Sequence, residues 1–204
     1  MAILCREFYM GNTVEIAKAL LGKYLVRRLN GELLVCRITE TEAYVGAVDK
    51  ACHAYGYRKT KRNAVMFGQA GHAYLYLIYG MYTCLNFVTN PVGEPDAVLL
   101  RGLEPVSGID TMCRLRYGKT PEELTAYQRK NFCNGPGKCC KALFLDTSLN
   151  GTDLTGSVLF LCDYPADIGL PNIHQPSRQI TAGKRIGIDY AEEAKDFPWR
   201  FTLC

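Results

Sequence analysis

Glu40, Glu42 and Tyr44 alternate along Thr39-Glu40-Thr41-Glu42-Ala43-Tyr44. On a strand that spacing turns all three side chains to one face. Acidic groups at the end of an otherwise apolar run are out of place unless that face opens on solvent or a cleft. An exposed edge of ordinary carboxylates would look the same. Two acids at i and i+2 on one strand are not the facing pair that glycoside hydrolases set across a scissile bond. Four of the 13 tyrosines lie within residues 74–82, where Tyr74 and Tyr76 share one face and Leu75 and Leu77 the other. Such a stripe suits a half-buried sheet face, and it equally suits a platform on which bases stack.

Two basic features accompany these groups. Arg58-Lys59-Thr60-Lys61-Arg62 places four cations in five residues, and Lys138 follows a Gly135-Pro136-Gly137 turn. The run reads either as a solvated loop or as a polyanion contact. The net charge of +4 is too mild to name a partner by itself. Other chemistries lack their signatures. There is no G-x-G-x-x-G after a strand, no P-loop, no G-x-S-x-G and no H-E-x-x-H.

The elements that must position these residues follow from pattern. Asn12 or Thr13 can cap a first helix whose apolar face is Val14, Ile16, Ala17, Leu20 and Leu21, closed by Gly22. Strands over 23–28 and 33–45 flank the turn signal Asn30-Gly31. Residues 72–88 read as a second hairpin with Tyr79-Gly80-Met81 at its tip, and 98–103 as another strand. Helices are expected over 109–116, over 121–132 with Thr120 and Glu123 as a capping box, and over 137–145. Strands return at 158–162, 186–188 and 199–203. This order indicates an α+β fold: one domain over residues 1–204, with a mainly antiparallel curved sheet, flanking helices and a protruding β-hairpin.

With 48% hydrophobic and 22% charged residues over 204 positions, a packed core is expected and a disordered chain is not. No apolar run approaches a membrane span, and the N-terminus lacks the features of a secretory signal. The ten cysteines therefore belong in a reducing compartment, as small buried hydrophobes. Cys133, Cys139 and Cys140 cluster, but His174 is too remote in sequence to complete a zinc pattern with them.

Six motifs resemble, in order and spacing, the alkyladenine (3-methyladenine) DNA glycosylase family. They are Glu40-Thr41-Glu42-Ala43-Tyr44; His53; Arg58-x-Thr-x-Arg62-Asn63; Tyr74-x-Tyr76-x-Ile78-Tyr79-Gly80-Met81-Tyr82-x-Cys84-x-Asn86; Leu99-Leu100-Arg101-x-Leu103-Glu104-Pro105; and Gly135-Pro136-x-Lys138. The match runs from the first helix to the closing Pro198-Trp199-Arg200-Phe201. The resemblance implies a monofunctional, lyase-free enzyme of base excision repair. It would flip alkylated or deaminated purines (3-methyladenine, 7-methylguanine, hypoxanthine, ethenoadenine) out of double-stranded DNA and hydrolyse the N-glycosidic bond, leaving an abasic site.

The resemblance also implies roles for residues. Glu42 corresponds to the general base and Arg101 to its partner in holding the water, aided by the Ile186 carbonyl. Tyr44, His53 and Tyr76 correspond to the walls of the base pocket, and Asn86 to the residue that crowds the amino group of normal guanine. Tyr79 corresponds to the wedge that fills the gap in the duplex, while Arg58, Arg62 and Lys138 are implied phosphate contacts. Gly137 departs from the pattern, since some relatives carry serine there. No cofactor or metal is implied. Membrane association is not expected, monomeric action is the simplest expectation, and a bacterial cytoplasmic setting fits, or a nuclear one in a eukaryote. Two other classes keep the same residues: a module that binds damaged nucleic acid without cutting it, and a hydrolase of free nucleosides or RNA.

Overall fold

The computed structural model describes residues 3–171 and 179–204, so His174 lies outside the described residues. Its longest strand explains its shape. β1 (Tyr24–Leu29) and β2 (Glu32–Tyr44) are joined through Asn30 and Gly31, at φ of 50° and 86°. Two left-handed residues in succession give the turn whose twist matches the strands it joins. β2 then pairs β1 through residues 32–37 and β8 (Arg200–Leu203) through residues 40–42, while β5 (Asp96–Ser107) runs along its other edge. The β2–β5 register slips between Val35 and Cys36 and on both sides of Glu40. Such bulges bend a strand and increase its twist, which curves the sheet into a half-barrel.

β3 (Ala73–Ile78) and β4 (Tyr82–Thr89) form the expected second hairpin. The strand order is β3-β4-β5-β2-β1, then β6 (Leu159–Cys162), with β7 (Ile180–Gly183) beside β8; every pairing is antiparallel.

α1 (Thr13–Ala19) starts where the Asn12 side chain accepts the N–H groups of Val14 and Glu15. Ile16, Ala17 and Leu20 are buried against the sheet, and the Thr41 hydroxyl donates to the Ala17 carbonyl at 2.8 Å. α2 (Ile109–Tyr117) lies between glycines at positive φ, and α4 (Pro136–Ala142) opens on a proline in its first turn. These helices enclose the main core with Leu34, Ile38, Leu85, Phe87, Leu100, Met112 and Phe201. A second cluster, Met66, Tyr74, Val88 and Ala97, backs Tyr44 and Tyr76.

Three expectations need correction. Only Ala126–Lys130 (α3) is helical within 121–132, because the capping box forms at Thr125 and Gln128. Glu123 does take the Thr120 N–H at 2.7 Å, but the chain turns there rather than coiling. The helix expected over 137–145 ends at Ala142, and Phe144 beyond it has φ +50°. Residues 186–188 are not a strand but bend at Ile186 and Gly187: the Ile186 N–H is given to a side chain, and Gly187 has φ +76°. The strand of this region is β7 instead.

All ten cysteines are free thiols, eight of them buried. Among the described residues no group of three or more His, Cys, Asp or Glu is arranged to hold a metal ion, and no helix is long and apolar enough to cross a membrane.

Candidate active site

Glu42 has no solvent exposure and sits near the end of β2, where the curved sheet meets the segment after β7. Its Oε1 accepts the Ile186 N–H at 2.9 Å and lies 3.4 Å from Arg101 Nε; its Oε2 accepts the Tyr44 hydroxyl at 2.9 Å. The strand alternation read from the sequence thus brings Tyr44 back onto Glu42. Glu40 is held differently, between Arg101 Nε at 3.3 Å and Arg200 Nη1 at 3.1 Å. Burial pushes the Glu42 pKa up, while Arg101, the Ile186 N–H and the Tyr44 hydroxyl pull against that rise. A carboxyl so balanced ionises closer to neutrality than a solvated one, which suits a base working near physiological pH.

In front of Glu42 lies a cavity of about 720 Å³, within the usual range for ligand pockets. Tyr44, His53, Tyr76, Asn86, Tyr79, Arg101 and Lys138 all line it. Glu42 itself stands one layer behind the wall, screened by Tyr44, Arg101 and Ile186, which do line it. His53 Nδ1 lies 2.9 Å from the Tyr74 hydroxyl, and its ring meets that of Tyr76 edge-on at 4.7 Å. Partial burial, with help from Arg62, lowers the His53 pKa below the ordinary imidazole value. Asn86 is opposite Tyr74 in the hairpin register and donates to its carbonyl at 3.2 Å, so it serves the hairpin and the cavity wall at once.

Tyr79 is 82% exposed at the hairpin tip, where its φ of +52° is one that side chains other than glycine seldom adopt. Lys138 lines the same cavity and donates to Asn131 and Asn134 at 3.0 and 2.7 Å. Arg58 and Arg62 are exposed and stand outside the lining. Arg62 is braced on the hairpin, its guanidinium 4.9 Å from the Tyr76 ring centroid and donating to the Leu77 carbonyl.

Sequence reasoning missed several parts. It assigned the Ile186 carbonyl to the water and did not foresee that the Ile186 N–H meets Glu42. It gave no role to Tyr82, Arg116, Tyr117 or Tyr190, which line the same cavity. Nor did it see why residue 137 is glycine: a Cβ there would lie 2.8–3.0 Å from atoms of Tyr82. That close approach brings Tyr82 against the start of α4, with Lys141 Nζ 4.5 Å from its ring centroid. Arg185 also went unremarked, since a lone arginine carries no pattern.

The arrangement can hold a flat, aromatic guest between rings, with a carboxylate and a guanidinium at one side of the cavity and a bulky side chain projecting at its mouth. Comparison with known proteins agrees with that chemistry. The profile of the methylpurine-DNA glycosylase family matches residues 7–204. A protein of Clostridioides difficile (strain 630) is 47% identical, covering 97% of this chain and 98% of its own. One from Alkaliphilus oremlandii is 50% identical over 97% of this chain and 94% of its own, and one from Bacillus cereus (strain AH820) 50% identical over 96% and 92%. Each of the three bears the name "Putative 3-methyladenine DNA glycosylase".

Proposed function

Given that the chain belongs to the methylpurine-DNA glycosylase family, we propose that it is a monofunctional DNA glycosylase that excises alkylated or deaminated purines from duplex DNA. The observation that carries this reading is the buried carboxylate of Glu42 behind an aromatic-walled cavity with an exposed tyrosine at its mouth. A purine inside a duplex cannot reach such a cavity, so the nucleotide must rotate out, at a cost of about a few kcal/mol that is smallest for damaged or mispaired bases. Tyr79 is the wedge that takes its place in the stack, and Arg58, Arg62 and Lys138 hold backbone phosphates. The flipped base stacks between Tyr44 on one side and His53 with Tyr76 on the other. Asn86 crowds the exocyclic amino group of guanine. An alkylated, cationic purine gains a further attraction to the ring faces.

Ionised Glu42 takes a proton from a water held at the wall between Arg101 and Ile186. The water oxygen bonds to C1′ of the sugar as the N-glycosidic bond breaks, and the purine leaves with the bonding electrons. In between, the sugar carries oxocarbenium-like positive charge, which the carboxylate stabilises. Alkylation at N3 or N7 makes the purine a better leaving group, so lesions are chosen by bond lability as well as by shape. The enzyme reads a single base and acts as a monomer.

Single-turnover excision from a duplex carrying one hypoxanthine or ethenoadenine tests the proposal. The wild type yields alkali-labile abasic sites without a direct nick, and Glu42→Gln still binds the duplex while excision falls by orders of magnitude. Binding by both proteins with excision by neither, methylated purines included, would reduce the chain to a damage-binding module.

A further inference from the structure

Arg185 and Asp49 are a charge pair with fully buried side chains, and neither lines the cavity. The guanidinium donates to both Asp49 oxygens, to the Ala43 carbonyl at 2.8 Å and to the Ala194 carbonyl at 3.1 Å. Its centre lies 4.7 Å from the Tyr44 ring centroid and 5.1 Å from that of Trp199. Asp49 in turn accepts the N–H groups of Val45 and Ala51 at 3.2 and 3.0 Å.

Stability alone is a poor explanation for such a pair, because two charges lose more solvation on burial than their attraction reliably returns. Its place in the chain offers a better one. Arg185 immediately precedes Ile186, whose N–H sits on Glu42 Oε1, and the Ala43 carbonyl that it grips lies between Glu42 and Tyr44 in sequence. The same guanidinium packs against the ring of Tyr44, whose hydroxyl sits on Oε2. Both hydrogen bonds on the Glu42 carboxylate, from the Ile186 N–H and the Tyr44 hydroxyl, are therefore one residue or one ring away from Arg185.

We propose that the Arg185–Asp49 pair is the positioning device of Glu42, fixing the Ile186 N–H and the Tyr44 hydroxyl on its two oxygens so that the carboxylate is aimed and ionised when DNA arrives. The proposal rests on the reading of Glu42 as the base. Arg185 itself attracts Glu42; the other charged and titratable groups around that carboxylate are Arg101 from β5 and Glu40 and Tyr44 on β2, with Arg200 of β8 reaching Glu40. These remain when the pair is altered. Loosening the pair withdraws two hydrogen bonds that favour the ionised form, so Glu42 takes up its proton at higher pH.

The experiment is the pH profile of single-turnover excision from a hypoxanthine duplex for wild type, Asp49→Asn, Arg185→Lys and Glu42→Gln, with the melting temperature and duplex Kd of each. Asn at 49 keeps the shape but only one acceptor for the Val45 and Ala51 N–H groups, which sit on different Asp49 oxygens, and lysine at 185 keeps the charge without the fork. The expected result is an acid limb moved up by about one pH unit in Arg185→Lys, which keeps the cation near Glu42, and a smaller upward move in Asp49→Asn, where the cation freed of its counter-charge pulls the other way. Excision below the limb then falls about tenfold in Arg185→Lys and less in Asp49→Asn, recovers toward wild type on the alkaline side, and leaves the Kd unchanged. If Arg185→Lys does not fold, Asp49→Glu, which keeps both charges but displaces the fork, takes its place. An unmoved limb, or a loss of rate equal at every pH, overturns the positioning role. Should Glu42→Gln excise as the wild type does, it is the underlying assignment of the base that fails.

Discussion

The Arg62 guanidinium lies 4.9 Å from the Tyr76 ring centroid, so a residue expected to reach DNA phosphates is also packed on a wall of the base cavity. Its charge is felt at His53 as well, where it reinforces the effect of burial in lowering the imidazole pKa. Arg62→Ala therefore raises the His53 pKa, an upward shift that NMR titration of the ring protons would register. If Arg62 also holds a phosphate, the slope of log K against log salt drops by about one. A changed slope with unmoved His53 would separate the two roles and remove the electrostatic one.

Tyr79 combines high exposure with a backbone conformation that disfavours side chains. A tyrosine is kept there at a cost of about 1 kcal/mol relative to glycine. Tyr79→Gly is thus expected to leave thermal stability unchanged or slightly higher, while excision from duplex falls at least about tenfold because nothing fills the vacated stack. Turnover of a free nucleoside by the same variant stays at the wild-type level, which is how a general folding defect would be told apart from loss of the wedge.

The sheet and the hairpins were legible in the sequence because they are written in local terms. Asn30-Gly31 specifies its turn, and the alternation from Tyr74 to Leu77 specifies two faces. Glu42 and Tyr44 share a strand, so their side chains were placed together before any tertiary fact was known. What could not be read were contacts made by chain segments far apart in sequence. Ile186 meets Glu42 through a backbone N–H, which leaves no trace in residue type, and Arg185 finds Asp49 across 136 positions. The helix expected from Thr120 failed for a local reason: the capping box that starts the helix is Thr125 with Gln128, five residues on, while Thr120 and Glu123 close only a turn.

Gly137 illustrates the same limit. Its value depends on Tyr82, more than fifty residues earlier, whose Cβ and ring lie within 2.8–3.0 Å of where a side chain would begin. Gly137→Ser is expected to destabilise the protein by about 1–3 kcal/mol, as for other overpacked sites. Part of that loss should return in the double variant with Tyr82→Ala, which removes the two ring atoms of the close approach and leaves the Cβ contact. Denaturant melts of the two single variants and the double variant measure the coupling, and strictly additive effects would show that the two positions do not press on each other.

Glu42 itself should be a liability to the fold. Burial raises its pKa above the unfolded value despite Arg101 and two hydrogen bonds. The folded state therefore holds the proton more tightly, and as pH rises through the window between the unfolded and folded pKa values, ionising the carboxyl withdraws stability. Glu42→Gln does not ionise. Its amide can still accept the Ile186 N–H and meet the Tyr44 hydroxyl, and Arg101 keeps Glu40 at 3.3 Å. The variant should melt higher than wild type at pH 7–8, and the gap should close on acidification below the unfolded carboxyl pKa of about 4.3. Thermal melts of both proteins across that range would reveal the trend. A variant less stable at every pH would mean that the ionised carboxylate holds the cavity wall together, and that the cost of burying it is repaid in full by its three partners.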